Sequence, residues 1–144
     1  MTPPLVMLVD DEAPFVETMT KRLAKRNLDV TSAFSGQAAL DMLSQKQNID
    51  VVILDVKMPG MDGLEALQKI KAAYPLIEVI MLTAHATVES AIEGMKRGAF
   101  DYLMKPCNME RLMEIVNQAT RKKRSHEEKI REARVKEVLS KRGF

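Results

Sequence analysis

Short apolar runs alternate along the chain with segments in which apolar residues recur every three or four positions. Three of the runs are almost continuously aliphatic, at 5–9, 51–54 and 79–82, and two weaker runs lie at 30–34 and 102–104. Continuous rather than alternating apolar strands are typical of a parallel sheet that is covered on both faces. The runs therefore predict five strands with helices between them.

The intervening segments carry local signals for where helices begin and end. Pro14 suits a first turn, Ser35 and Asp62 suit N-terminal caps, Gly98 suits a C-terminal stop, and Asn108 stands near the start of the last helix. Each segment places its apolar residues on one helical face: Phe15, Val16, Met19 and Leu23; Ala39, Leu40 and Leu43; Leu64, Leu67, Ile70 and Ala73; Val88, Ala91, Ile92 and Met95; Leu112, Met113, Ile115, Val116 and Ala119. Five strand–helix repeats predict a doubly wound α/β fold with a parallel sheet and right-handed crossovers.

The composition narrows the class of protein. A length of 144 residues with 46% hydrophobic residues fits one domain with a modest tail. A single cysteine excludes an intramolecular disulfide framework and a multi-cysteine zinc site. No apolar run is long enough to cross a bilayer, and the N-terminus lacks the basic start of a secretory signal. We therefore expect a cytoplasmic protein with no membrane contact.

The net charge of +2 is unevenly distributed. Residues 121–144 contain ten Lys or Arg and four Glu, which gives +6 and leaves −4 for residues 1–120. We predict a globular domain over 4–120 and a basic helical C-terminal extension over 121–144. The extension is rich in helix-forming residues but has no clean heptad, so we expect an exposed rod rather than a strong coiled coil.

Polar residues follow four of the predicted strands directly. Asp10 and Asp11 come after the first strand, Asp55 after the third, Thr83 after the fourth and Lys105 after the fifth. Because ligands of open α/β sheets bind beyond the carboxyl ends of the strands, we expect these five residues to converge at one edge. A single Asp after a strand is usually a helix cap or a turn former, but five complementary side chains at one edge indicate a site.

The side chains of this cluster favour a particular chemistry. Three neighbouring carboxylates repel one another unless a cation compensates, and an all-oxygen, incomplete ligand set suits Mg²⁺. Lys105 adds a positive charge that could neutralise a phosphoryl group. Carboxylates are known nucleophiles toward phosphoryl groups. The sequence thus predicts Mg²⁺-dependent phosphoryl transfer.

Four motifs carry a resemblance to a known family. VDDE at 9–12, DVKMPGMDG at 55–63, TAHA at 83–86 and DYLMKP at 101–106 resemble, in order and spacing, the receiver domain of two-component response regulators. The resemblance covers about residues 4–120. It implies the chemotaxis-regulator-like (βα)5 fold with strand order 2-1-3-4-5.

The resemblance also implies residue roles. Asp55 matches the phosphoacceptor, and Asp10, Asp11, Asp55 and the backbone carbonyl of Lys57 match the Mg²⁺ ligands. Lys105 matches the lysine that contacts the phosphoryl group, and the Lys105–Pro106 bond is then expected to be cis. Thr83 and Tyr102 match the hydroxyl and aromatic residues of the switch.

Two further positions and the partners follow from the same resemblance. Lys57 and His85 match positions that tune the lifetime of the phosphate, although both could equally be exposed loop residues. The expected donor is a sensor histidine kinase or a phosphotransfer protein. The expected output is a changed surface, formed by the fourth helix, fifth strand and fifth helix, for a downstream protein or a second copy of the chain.

Several alternatives remain open at this point. The chain could be a stand-alone regulator or the receiver fragment of a larger transcriptional regulator that ends in its linker helix. A Mg²⁺-dependent phosphatase is a competing class, although such enzymes usually need a second acid where Lys57 stands. A protein that binds nucleic acid through the RKKR run at 121–124 is a third, but the glutamates interleaved with the basic residues of the extension argue against it.

Overall fold

The computed structural model describes residues 2–45 and 48–142. Five strands alternate with five helices. The strands are β1 (Leu5–Val9), β2 (Asp29–Ala33), β3 (Val51–Leu54), β4 (Glu78–Thr83) and β5 (Asp101–Met104). The helices are α1 (Ala13–Ala24), α2 (Gly36–Gln45), α3 (Gly63–Ala73), α4 (Val88–Lys96) and α5 (Met109–Lys141). The predicted alternation is confirmed, with strand boundaries that differ by at most one residue.

The strands form one parallel sheet in the order β2-β1-β3-β4-β5. Every side chain of β1 after Leu5 and of β3 and β4 is buried, which explains why these runs show no polar alternation. The order reverses direction between β1 and β3, the point where α/β sheets open a crevice. The predicted strand order and fold class are confirmed.

Apolar residues pack on both faces of the sheet. One core joins the sheet to α2 and α3, and the other joins it to α1 and α5. Alternate strand residues belong to opposite cores, as Met7 and Leu8 of β1 do. The central strands β1, β3 and β4 are therefore covered on both faces, and the candidate site residues lie where the strands end.

Local capping follows the sequence signals. Ser35 Oγ accepts a bond from the Ala38 N–H at 3.0 Å, and Asp62 Oδ1 accepts one from the Glu65 N–H at 2.8 Å. Asn108 caps α5, and Gly98 ends α4 with a φ of 102°. These short-range contacts show why the helices begin and end at these residues.

Helix α4 differs from the other helices in its burial. Its apolar side chains Val88, Ile92 and Met95 are 72%, 52% and 49% exposed. Met104 of β5, the strand that α4 contacts, is also exposed, and we call these four residues the α4–β5 surface. Helical periodicity correctly indicated one apolar face here, but no other element of the described chain covers it.

The start of the basic extension is packed rather than solvated. Lys123 is buried, with Nζ 3.4 Å from Asp50 Oδ1, and Arg124 Nη2 lies 3.0 Å from Asp50 Oδ2. Arg124 also donates to the carbonyl oxygens of Thr2 and Pro3, and Lys122 pairs with the buried Glu78. We call these contacts the α5 anchor. The expectation of an exposed rod from residue 121 is therefore wrong for Lys123 and Arg124, because the buried carboxylate of Asp50 at the amino end of β3 needs cationic partners.

Candidate functional site

The carboxyl ends of β1 and β3 bring three acidic side chains together. Asp10, Asp11 and Asp55 each offer a carboxylate oxygen, and these oxygens lie within 4.8 Å of one another. Asp10 and Asp55 are buried, while Asp11 is exposed. The backbone N–H of Asp55 donates to the carbonyl of Val9, so the pairing of β1 with β3 sets this spacing. The predicted convergence is found.

Lys105 enters the same cluster from β5. Its Nζ donates to Asp10 Oδ2 at 2.6 Å and lies 4.0 Å from Asp55 Oδ2 and 4.0 Å from Glu12 Oε1. Its backbone N–H donates to the carbonyl of Thr83, which extends the β4–β5 pairing to the edge of the site. The Lys105–Pro106 bond is cis, as expected. One cation thus reaches two buried carboxylates.

Burial governs the electrostatics of Asp55. Desolvation raises the pKa of the Asp55 carboxyl above its ordinary value, and the charge of Asp10 raises it further. The Thr83 hydroxyl, the Lys105 charge and the Val56 N–H oppose that rise, the last through a 2.8 Å bond to Asp55 Oδ1. Because the net shift of the Asp55 pKa is upward, the nearby positive charge and hydrogen-bond donors do not fully offset the cost of burying the ionised carboxylate. Added positive charge at this site would therefore bind favourably.

The three carboxylates fit a hard divalent cation. Oxygen is the ligand type that Mg²⁺ prefers, and two of these groups are buried with Lys105 as their one neighbouring cation among residues 2–45 and 48–142. Mg²⁺ also tolerates an incomplete protein shell, because it keeps several waters. Lys57, whose carbonyl is the expected fourth ligand, is exposed in the loop after β3.

A glycine that the sequence argument did not single out shapes the loop beside Asp55. A Cβ on Gly63 would stand 1.9 Å from the Asp55 carbonyl oxygen and 2.7 Å from Val56 Cα. The Gly63 N–H donates to the Val56 carbonyl at 2.7 Å. Only glycine allows α3 to begin this close to the acidic residue. The DG pair of 62–63 was therefore a signal for close backbone approach as well as for a cap.

The predicted switch residues lie on the side of the site toward α4. Thr83 is fully buried, and its Oγ1 accepts a hydrogen bond from the backbone N–H of His85 at 3.0 Å. The residue His85 itself is exposed. Tyr102 Oη lies 2.5 Å from Ser90 Oγ, which also takes part in the capping box of α4 with Thr87. A Cβ on Gly94 would contact the Tyr102 ring at 3.4 Å. Tyr102 is thus bonded to α4, a connection through Ser90 that the sequence did not indicate.

A family model for the response regulator receiver domain matches residues 6–117. The chain belongs to this family. The receiver domain of residues 6–117 includes every acidic, hydroxyl and lysine side chain of the site. No helix in the described ranges 2–45 and 48–142 is both long and apolar enough to span a membrane.

Individual relatives support the assignment. The receiver is 38% identical over 114 residues to the transcriptional regulatory protein ZraR of Salmonella typhimurium, and 36% identical over 115 residues to the DNA-binding transcriptional regulator NtrC of Klebsiella pneumoniae. These matches cover 79% and 80% of the chain but only 26% and 24% of the relatives. A solved receiver domain from Clostridium thermocellum aligns with a TM-score of 0.80 at 34% identity, over 84% of this chain and 97% of that one. The chain thus spans about a quarter of the length of these curated relatives.

Membership decides between the alternative classes. The chain is a receiver domain of two-component response regulators similar to NtrC, and the phosphatase and nucleic-acid alternatives are not favoured. Both the stand-alone regulator and the receiver fragment of a larger regulator remain compatible with the match.

Proposed function

We propose that the protein accepts a phosphoryl group on Asp55 from a sensor histidine kinase or a phosphotransfer protein, with Mg²⁺ as the cofactor. The observation that carries this proposal is the position of Asp55, a buried carboxylate with Lys105 Nζ 4.0 Å away and Asp10 and Asp11 beside it. An ionised carboxylate oxygen attacks phosphorus, the bond from phosphorus to the donor nitrogen breaks, and that nitrogen recovers a proton. The chain would catalyse only its own phosphorylation and dephosphorylation.

The residues around Asp55 would have different roles according to their charge. Asp10, Asp11 and Asp55 would hold Mg²⁺ together with the Lys57 carbonyl, and the ion supplies charge neutralisation for the phosphoryl oxygens. Lys105 contributes a further positive charge to those oxygens. Lys57 and His85 are exposed beside the site, where we propose that they influence how fast water reaches the acyl phosphate.

We further propose that the modified Asp55 acts on the α4–β5 surface. A phosphoryl group adds roughly −1.5 to −2 charges and three acceptor oxygens. The Thr83 hydroxyl would donate to these oxygens, and Tyr102 would move into the space that Thr83 leaves. Because Tyr102 is bonded to Ser90 at the start of α4, its movement would break that contact and shift the exposed Val88 and Ile92.

The exposed apolar residues of this surface suit a protein partner. Val88, Ile92, Met95 and Met104 together make a patch of the kind that marks an interaction site. We infer that this surface docks a downstream protein or a second copy of the chain. We propose the cytoplasm as the location, because the transcriptional regulators that the chain resembles would meet DNA there. Sizing the protein with and without a phosphate mimic separates a dimer from a monomer that binds a different protein.

The experiment that tests the proposal is direct labelling. The protein is incubated with a small acyl phosphate and Mg²⁺, and the modified peptide is identified by mass spectrometry. We expect one phosphoryl group on Asp55, labile to hydroxylamine, and none in the Asp55→Asn variant. Asp29→Asn makes the same chemical change at the opposite end of the sheet and should label normally. Undiminished labelling of Asp55→Asn contradicts the assignment.

A further inference from the structure

The Lys105 ammonium contacts an aromatic ring as well as carboxylates. Its Nζ lies 3.7 Å from the centroid of the Phe15 ring, and the Lys105 side chain is only 11% exposed. Phe15 lies in the first turn of α1 and is half-buried against the core that α1 and α5 share. At this distance the negative face of the ring attracts the cation directly. The contact joins residues that are ninety positions apart.

The ring offers a kind of support that another carboxylate would not. An ammonium has three N–H donors, and one of them is taken by Asp10 at 2.6 Å. The ring attracts the positive charge without supplying a conventional acceptor oxygen, so donors stay available toward Asp55, whose Oδ2 is 4.0 Å away. It also covers the ammonium from water, which strengthens its interaction with nearby negative charge.

The acidic neighbours explain why such support matters. Glu12 Oε1 is also 4.0 Å from Lys105 Nζ, and the Glu12 side chain is 59% exposed. The Phe15 ring therefore favours the position of the ammonium between Asp10 and Asp55 over a position nearer Glu12 and solvent. The ring face therefore selects one of several possible positions of a long, flexible side chain.

We propose that Phe15 is a positioning residue for phosphoryl transfer: its ring face holds the Lys105 ammonium where it can neutralise the phosphoryl group on Asp55. This inference rests on the proposed function of Asp55. Phe15 does not touch the reacting atoms and acts entirely through Lys105. A purely structural role would require only an apolar side chain of similar volume.

Stepwise fluorination of Phe15 separates these two roles. Mono-, di- and trifluorophenylalanine keep the size of the ring but progressively weaken its attraction for a cation. We expect the rate of Asp55 labelling by a small phosphodonor to fall with each fluorine, to a total loss of roughly 5- to 30-fold. Unchanged rates across the series overturn the inference while leaving the labelling of Asp55 intact.

The chain supplies a matched control. Lys122 Nζ lies 5.6 Å from the Phe100 ring centroid. Lys122 also pairs with Glu78 at the amino end of β4, whereas Asp55 follows the carboxyl end of β3, so this pair lies toward the opposite end of the strands. Fluorination of Phe100 should leave the labelling rate unchanged. An equal slowing in both series would show a general effect of fluorination and overturn the role of Phe15.

A second readout needs neither metal nor phosphodonor. The exchange of the Lys105 ammonium protons with water is followed by NMR in the apo protein, and we expect it to accelerate in the trifluoro variant. If the unmodified protein is not labelled on Asp55, the proposed function fails, and this exchange measurement alone decides whether the ring holds Lys105. Unaltered exchange overturns the contact itself.

Discussion

The α5 anchor predicts a large loss of stability when Asp50 loses its charge. Asp50 is 2% exposed, and its carboxylate accepts bonds from the Leu5 N–H at 2.9 Å and from Arg124 Nε and Nη2 at 3.3 and 3.0 Å. Lys123 Nζ is a further cation at 3.4 Å. The substitution Asp50→Asn keeps the size of the side chain, removes the negative charge and replaces one of the two acceptor oxygens with an NH2 donor.

The size of the loss in the free energy of unfolding depends on the cation that Asp50→Asn leaves without this partner. Lys123 is 6% exposed and would keep Glu127, at 3.1 Å, as its one acidic partner in the part of the chain that the structure describes. Removing one member of a buried ion pair typically costs about 3–5 kcal/mol. Because Glu127 still compensates in part, we expect about 3 kcal/mol for Asp50→Asn, or a fall in Tm of roughly 10 °C.

Urea unfolding followed by circular dichroism measures this free energy. Adding Lys123→Met removes the stranded cation, so the double variant should recover part of the loss, with a coupling energy of about 1 kcal/mol or more. The exposed pair of Arg131 and Glu128 is the control, and Arg131→Ala should change the free energy of unfolding by less than about 0.5 kcal/mol. A loss below about 1 kcal/mol for Asp50→Asn would refute the reasoning.

Two further predictions concern the site and the switch. Burial raises the pKa of Asp55 in the folded protein above its ordinary value in the unfolded chain. The metal-free protein should therefore lose stability as the pH rises from the ordinary pKa to the pKa in the folded protein and beyond it. With a chelator present, Asp55→Asn should thus be more stable than the parent at pH 7, and this gain should vanish in acid, as followed by thermal unfolding across pH. Ser90→Ala removes the Tyr102 contact and part of the α4 cap, so amide exchange at 88–91 should accelerate several-fold, while Ser44→Ala should leave those amides unchanged.

The sequence was informative wherever neighbouring residues determine structure. Continuous apolar runs marked the strands because both sheet faces are covered, and Asp62 and Asn108 marked helix starts because capping involves residues only two or three positions away. The cluster of Asp10, Asp11 and Asp55 was also predictable, since parallel strands end at the same edge. Its phosphoacceptor role stays a prediction until it is labelled.

The tertiary structure decided which apolar faces are covered and which side chains from distant parts of the chain meet, because the periodicity of the sequence is the same in either case. An apolar helical face looks the same whether another element covers it or not, so only the fold showed that Val88 and Ile92 are exposed. Likewise, a run of four basic residues reads as solvated until the chain brings buried carboxylates beside it, as Asp50 is brought to Arg124 from 74 positions away. The Phe15–Lys105 contact and the close approach at Gly63 depend on the same long-range packing. Local sequence patterns determine which helices and strands form. Which of their surfaces come into contact depends on long-range packing of the whole chain around the sheet.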